Sequence, residues 1–394
     1  RAGSALLRIA GNPLGSMHKL GELLGFAAEL RRALRQARAA AGDNGVSVPR
    51  QLYELIRLRA GPGKLSPDDY YLMRVYRRDR SFSEKRRYVS PPAFGALSRD
   101  RRWGIVADDK LLTYALLKGQ DFTVPGVHAI FHPSRTFASA RCLRSKVELQ
   151  DYLTSAAPYP FFAKPIQGIY SRGTVLVDSL DRGKRALRLG DGSDMPLEAF
   201  VALCAERPKG FLFQELLHPH PAVAEICGDR LCTVRMIVLL ADNSPRLLAA
   251  LWKIAGAGNV ADNYWREGNM LGLLDRETGT VRRCTTGLGS GLREVDRHPA
   301  TGRALVGFAL PDWKETVELT LRASRVVPAL PVQAWDIAVT PEGPMPLEVN
   351  IFGSPFLPQI ANDAGLLDGE FGAFMDAQRG LQAQRGCKGG TRGA

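Results

Sequence analysis

Val332-Gln333-Ala334-Trp335-Asp336-Ile337-Ala338-Val339 and Met345-Pro346-Leu347-Glu348-Val349-Asn350-Ile351 read as two strands joined by Thr340-Pro341-Glu342-Gly343-Pro344. The linking segment is rich in turn residues, so a symmetric hairpin centred on Glu342 is expected. That register sets Asp336 opposite Glu348 and sets Trp335, Ile337 and Val339 opposite Val349, Leu347 and Met345. Side chains alternate between faces along a strand, which places Asp336, Glu348 and Asn350 together on one of them. Two carboxylates facing each other across a ladder repel. With an amide one pleat further on, the cluster makes sense around a hard cation held by oxygen ligands, for which Mg²⁺ is the natural candidate.

Working outward, the hairpin Thr233-Val234-Arg235-Met236-Ile237-Val238-Leu239-Leu240, turn Ala241–Pro245, then Arg246–Ile254 carries the next charges. Centred on Asn243, it pairs Arg235 with Leu251 and Lys253 with Thr233, so both cations leave the same face on neighbouring pleats. Two like charges on an otherwise apolar sheet call for an anion or a carboxylate between them, the alternative being a surface strand whose cations are solvated. Upstream, Phe161–Pro165 is a short strand ending in Lys164, followed by Ile166-Gln167-Gly168-Ile169-Tyr170-Ser171-Arg172-Gly173 and a strand at Thr174–Val177. A strand-held lysine beside a loop with two glycines suits a phosphate, although a Walker A loop is absent and an ordinary hairpin loop has the same form. Gly210–Leu217 is an apolar strand that ends in the polar pair Gln214-Glu215. It has the form of an adenine-binding edge and equally that of a buried strand reaching the surface.

The 394 residues are 45% hydrophobic and 24% charged, an ordinary globular composition large enough for two or three structural units. No apolar run of spanning length and no leader pattern is visible, and the six cysteines (Cys142, Cys204, Cys227, Cys232, Cys284, Cys387) show no CxxC spacing. The expectation is a reduced, cytoplasmic protein. His218 and His220 read as loop residues. The net charge of +13 favours anionic partners, and much of it lies in Arg31–Arg38, Arg74–Arg87, Arg101–Arg102 and Arg385–Arg392. No aromatic-rich segment accompanies these runs, which argues against nucleic acid.

The first ninety residues read as basic helices at Met17–Ala41, Pro49–Leu58, Ser66–Arg77 and Ser83–Arg87. From Arg102 the texture turns α/β. Trp103–Val106 is read as a short strand and Asp108–Lys118 as a helix capped by Asp108 or Asp109. Thr123–Val127 and the segment around Ala129–His132 continue this small α/β unit, and a helix is expected at Trp313–Val326.

These residues together resemble the ATP-grasp superfamily, most closely the sugar-transfer-associated ATP-grasp branch, from about Ser66 to Phe374. The resemblance rests on Asp109-Lys110, Phe162-Ala163-Lys164-Pro165, Gln214-Glu215, Thr233-Val234-Arg235, Asp296-Arg297-His298-Pro299-Ala300-Thr301-Gly302, Leu310-Pro311-Asp312-Trp313, Trp335-Asp336-Ile337-Ala338 and Leu347-Glu348-Val349-Asn350, in matching order and spacing. It implies an α+β fold holding ATP between two subdomains. The units would be a helical basic region (1–90), a small N-terminal α/β subdomain (91–160), a lid-like subdomain with the phosphate loop (161–217), a C-terminal subdomain with the metal site (218–380) and a flexible tail (381–394).

By the same resemblance Lys110 and Lys164 touch ATP phosphates, and Gly168, Ser171, Arg172 and Gly173 belong to the loop over them. Gln214, Glu215, Leu216 and Leu217 recognise adenine, and Asp336, Glu348 and Asn350 hold Mg²⁺. Arg235 and Lys253 are the catalytic candidates, and Asn263, Asn269 and Gly287–Gly291 the substrate candidates. Tyr170 and Arg172 depart from the usual small-residue loop, which points to a reshaped lid or to direct contact with substrate. The implied activity is an ATP- and Mg²⁺-dependent carboxylate–amine ligase acting through an acyl-phosphate on small anionic substrates. A phosphotransferase and a non-catalytic nucleotide or anionic-surface binder are the alternatives.

Overall fold

The C-terminal hairpin forms, and its pairing explains the position of the charged residues. In the computed structural model, which describes residues 31–42, 45–95, 103–138, 140–168, 172–259, 261–351, 355–367 and 369–389, fourteen strands make two seven-stranded sheets. The first sheet has the order β2-β1-β7-β3-β4-β5-β6, with β1 Val127–Phe131, β2 Arg141–Leu143, β3 Phe161–Pro165, β4 Val175–Asp181, β5 Ala186–Leu189, β6 Asp194–Pro196 and β7 Phe211–Glu215. It unites strands from both the 91–160 and the 161–217 segments. The second has the order β12-β11-β10-β9-β8-β13-β14, all antiparallel, with β8 Val234–Ala241, β9 Ser244–Ile254, β10 Met270–Leu274, β11 Val281–Thr286, β12 Arg293–Glu294, β13 Val332–Thr340 and β14 Gly343–Ile351.

Asp336 pairs with Glu348 and Trp335 with Val349, as the symmetric hairpin requires. Beyond them the expected register fails: Ile337 faces Pro346 and Val339 faces Pro344, because a bulge intervenes at Leu347. Pro344 and Pro346 have no N–H to give the ladder, and β14 is the edge strand, where prolines and bulges are tolerated. The second hairpin behaves alike, with Arg235 opposite Leu251 as expected and a shift between Ile237 and Val238 toward the Asp242-Asn243 turn.

Among the described residues the helices are α1 (31–42), α2 Val48–Ala60, α3 Pro67–Leu72, α4 Phe82–Lys85, α5 Pro91–Gly95, α6 Gly104–Asp108, α7 Lys110–Lys118, α8 Lys146–Ser155, α9 Leu197–Ala205, α10 Pro221–Cys227, α11 Trp313–Ser324, α12 Phe356–Asn362 and α13 Gly369–Gly389. Trp103–Val106 is therefore not a strand. A four-residue apolar run fits either element, and here it enters a helical turn that leads directly into α7. Helix α13 carries the backbone past residue 381 into the stretch read as a tail. Residues 17–30 of the first expected helix lie outside the described residues. Among the described residues no helix is long and apolar enough to cross a membrane.

The second sheet is buried on both faces. One face (Val234, Met236, Trp252, Trp335, Ile337) packs with α7, α10, α11 and the inner face of the first sheet, contributed by Ile130, Ile166 and Leu212. The other (Ile237, Leu239, Leu251, Leu271, Ala334) packs under residues 37–93, α12 and α13. Arg235, Lys253 and Asp336 have the parity of this second face, displaced toward one end of the strands.

Candidate functional site

Antiparallel pairing sets Arg235 beside Asp336 and Asp336 beside Glu348, so three adjacent strands deliver three charges in a row. The Arg235 guanidinium donates to Asp336 through Nε and Nη2, both at 2.7 Å, a bidentate fork. Lys253 Nζ adds a third bond to Asp336 Oδ2 at 3.0 Å and lies 3.5 Å from Asp262 Oδ1. The anion required between the two cations is thus a carboxylate of the protein itself. Burial alone would raise the Asp336 carboxyl, but the Arg235 and Lys253 charges outweigh it and hold it well below the carboxylate range. Burial would likewise lower Lys253, and Asp262 and Asp336 more than restore it.

Asp262 escapes a sequence reading because nothing in its spacing marks it. Its carboxylate accepts from the Thr233 backbone N–H at 2.7 Å and from the Thr233 hydroxyl, locking the start of β8 to the loop after β9.

Across from this cluster, Lys110 opens α7 behind its cap Asp109, which accepts from the Leu111 and Leu112 N–H groups. Asp109 also receives Arg135 and Gln167, and that ties the helix start to the segment after β3. Lys110 Nζ reaches to 4.0 Å from Glu348 Oε2 and 3.4 Å from the Gly168 carbonyl. Burial lowers its pKa, partly offset by Glu348. Lys164, on β3, is pushed down to about 8, again by burial and again with Glu348 opposing. Tyr114, a second residue the sequence does not reveal, receives a hydrogen bond from Lys164 Nζ at 3.0 Å and donates to Gln214 Oε1 at 3.2 Å. Lys164, Tyr114 and Gln214 therefore form a buried line between β3, α7 and β7.

Glu348 is the point on which both lysines bear, and Asn350 Nδ2 donates to its Oε1 at 3.3 Å. Asp336, Glu348 and Asn350 share a strand face, but Asp336 already serves Arg235 and Lys253. Two carboxylates and an amide are a hard-oxygen donor set of the kind Mg²⁺ accepts. Among the described residues no group of three or more His, Cys, Asp and Glu is placed to hold a metal ion, here or elsewhere.

The Glu215 carboxylate accepts from the Gly126 N–H through Oε1 at 2.6 Å, which ties the end of β7 to the residue before β1. Leu216 and Leu217 follow β7 and are half-buried. Gly173 takes a left-handed φ of +80°, as a tight loop end requires, whereas Gly168 does not. Ser171, with Ile169 and Tyr170, lies outside the described residues.

Asn269 stands apart from any substrate surface. It is 1% exposed, and its amide is spent on Gly256, Asn259, Ala261 and Asn263, which fixes the loop after β9. Asn263 instead lines an open cavity of about 440 Å³ together with Arg172, Trp265, Arg266 and Phe356. Gly287–Gly291 forms a short turn whose Gly287 carbonyl accepts from Tyr264, and it is absent from that cavity's lining. His298, in the Asp296–Gly302 stretch, is buried, with Nε2 3.1 Å from the Ala255 carbonyl at the end of β9. His220 caps α10.

No curated protein matches the chain. Solved structures similar to it include an L-amino acid ligase from Bacillus licheniformis, at 13% identity and TM-score 0.35 over 63% of this chain and 41% of that one. The VanG D-Ala:D-Ser ligase from Enterococcus faecalis shares 15% identity at TM-score 0.41 over 70% of this chain and 62% of its own. The D-alanine-D-alanine ligase from Coxiella burnetii shares 12% at TM-score 0.38 over 72% and 60%. The chain thus spans less than two thirds of each of these proteins. The sugar-transfer associated ATP-grasp family model matches residues 94–371, which contain both sheets and every charged residue of the cluster, and the chain belongs to that family.

Proposed function

We propose that the protein is an ATP- and Mg²⁺-dependent carboxylate–amine ligase. The observation that carries this reading is the convergence of Lys110 and Lys164, from one side, on Glu348, which sits beside the Arg235–Asp336–Lys253 cluster of the other sheet. Four cations against Asp262, Asp336 and Glu348 leave a positive excess, suited to a polyphosphate.

In this reading Lys164 and Lys110 bind the phosphate oxygens of ATP, and Tyr114 and Gln214 hold Lys164 in line. A substrate carboxylate oxygen attacks the γ-phosphorus, the bond to the β,γ-bridging oxygen breaks, and ADP leaves with that electron pair. Arg235, anchored by Asp336, is positioned to stabilise the charge spread over the transferring group. An amine nitrogen then attacks the acyl carbon, phosphate departs and the nitrogen loses a proton. Asp336, Glu348 and Asn350 would hold Mg²⁺, which when bound supplies Lewis-acid neutralisation of phosphate oxygens.

Product analysis tests the proposal. With ATP, Mg²⁺ and pools of acids and amines, a ligase yields ADP, phosphate and a coupled product in equal amounts. ADP with a stable phosphorylated product would replace the ligase by a phosphotransferase. Absence of nucleotide turnover with every pool, combined with intact nucleotide binding, would favour the binding-protein alternative.

A further inference from the structure

The open cavity has a composition that narrows the acceptor. It is lined by Arg172, Asn263, Trp265, Arg266 and Phe356, and its volume of about 440 Å³ suits a small organic molecule. Its wall is held in place: Trp265 meets Phe356 edge-on at 6.1 Å and 83°, and meets Tyr264 at 6.1 Å and 63°. Tyr264 is in turn anchored by its hydroxyl to the Gly287 carbonyl at 2.6 Å. Such a wall offers a flat apolar surface that pays little entropy on binding.

The two arginines are the second element. Arg77, Arg135, Arg235 and Arg283 each hold a carboxylate, whereas among the described residues neither Arg172 nor Arg266 does. Arg172 is exposed and Arg266 half-buried, so both guanidinium groups are open to a ligand in the cavity, and the guanidinium fork matches a carboxylate or phosphate. The third element is location. Asp262 touches Lys253 and Thr233 in the charged cluster, and the next residue, Asn263, lines the cavity, so the two regions are one residue apart.

We propose that this cavity takes the acceptor acid, and that the acid carries an apolar ring and a second anionic group besides the carboxylate that reacts. The inference rests on the ligase reading for its assignment to the acceptor, while the ring-and-anion chemistry rests on the cavity alone. The reacting carboxylate lies toward Arg235 and Lys253, the ring lies against Trp265 and Phe356, and the distal anion meets Arg172 and Arg266. Arg172 then serves the acceptor rather than a phosphate of the nucleotide, which accounts for a bulky cation in a loop where small residues would let ATP approach.

Isophthalate, benzamide and glutarate separate the ring from the charges. Binding is read by quenching of tryptophan fluorescence, with Trp265→Phe as the control, and Mg·ADP affinity is measured by calorimetry on the same samples. Isophthalate is expected to bind about tenfold tighter than either other probe. Arg266→Gln is expected to weaken isophthalate roughly tenfold, as loss of a charged hydrogen bond implies, with Mg·ADP affinity changed less than about twofold. Equal binding of the three probes, or unaltered isophthalate binding in Arg266→Gln, would overturn the proposal. So would a parallel loss of Mg·ADP affinity, since the arginine would then serve the nucleotide. If wild type binds isophthalate in this manner but binds no Mg·ADP, the cavity chemistry stands and the ligase reading is what fails.

Discussion

The depressed Lys164 makes nucleotide binding proton-linked. In the free protein its ammonium is buried against Tyr114, with Glu348 as a partial counter-charge, and its pKa falls to about 8. A polyphosphate placed against it restores the charged form, so binding takes up protons wherever the free lysine is neutral. At pH 8.5 about three quarters of Lys164 is neutral in the free protein, and at pH 7 about a tenth. Binding of Mg·ADP should therefore absorb about 0.75 proton at pH 8.5 and about 0.1 at pH 7, and affinity should fall roughly tenfold between pH 7 and pH 9. Calorimetry in buffers of different ionisation enthalpy measures the uptake directly. Lys110 is lowered by burial too and adds uptake of the same sign, so Lys164→Met and Lys110→Met should each diminish the effect. No uptake at pH 8.5, or an undiminished uptake in Lys164→Met, would refute the assignment. The sign for folding is opposite. The unfolded chain binds more protons between about pH 8 and the ordinary lysine value, so this group makes the nucleotide-free protein gain stability as pH rises through that window.

Glu348→Gln should keep the fold, checked by circular dichroism, while lowering ATP turnover by about a hundredfold or more, because it removes the one charge both lysines face. Asp336→Ala leaves Arg235 and Lys253 buried together and should cost about 3–5 kcal/mol in urea unfolding; an unchanged midpoint would mean the pair is solvated. Lys85→Met removes the fully buried ammonium 2.7 Å from Glu54, leaving that carboxylate to the Tyr70 hydroxyl and to Arg50, and should cost about 2 kcal/mol by the same measurement. Gly365→Ala drives a Cβ into the backbone of Arg87 and Tyr88, for an expected loss of about 1–3 kcal/mol in the same assay.

The sequence carried the charged ends of both hairpins and hid their turns. Turn residues and alternation were enough to pair Asp336 with Glu348 and Arg235 with Leu251. Both bulges lie toward the turns, where a one-residue slip moves no charged residue of the cluster. Asp109 as the cap of α7 and Lys164 at the end of β3 were legible because capping and strand patterns are local. Tyr114 and Asp262 were not, because a tyrosine inside an apolar helix and an aspartate inside a loop acquire their roles only from partners 50 and 29 residues away. Asn269 misled for the same reason: an exposed turn asparagine and a buried loop organiser have identical local sequence.

The basic N-terminal region is where that limit matters most for function. Its arginine runs suggested a surface for anions, yet Arg50 and Lys85 pair with Glu54, Arg32 with Asp68, and Arg77 and Arg80 with Asp363. Its apolar side chains, among them Leu55, Leu58, Tyr70, Tyr76 and Val89, cover the face of the second sheet that bears Ile237, Leu251 and Ala334. Arg235, Lys253 and Asp336 continue that same face at the other end of the strands. The helices therefore cover the apolar part of that face up to the charged cluster, and Leu367 N–H donating to the Arg87 carbonyl at 2.8 Å ties them to the segment between α12 and α13. Removing residues 1–87 would uncover that core as well as delete charge, so a loss of anion binding in such a truncation would not discriminate a binding surface from unfolding. Charge reversal at exposed Arg35 and Arg38, with the core left intact, isolates the electrostatic contribution.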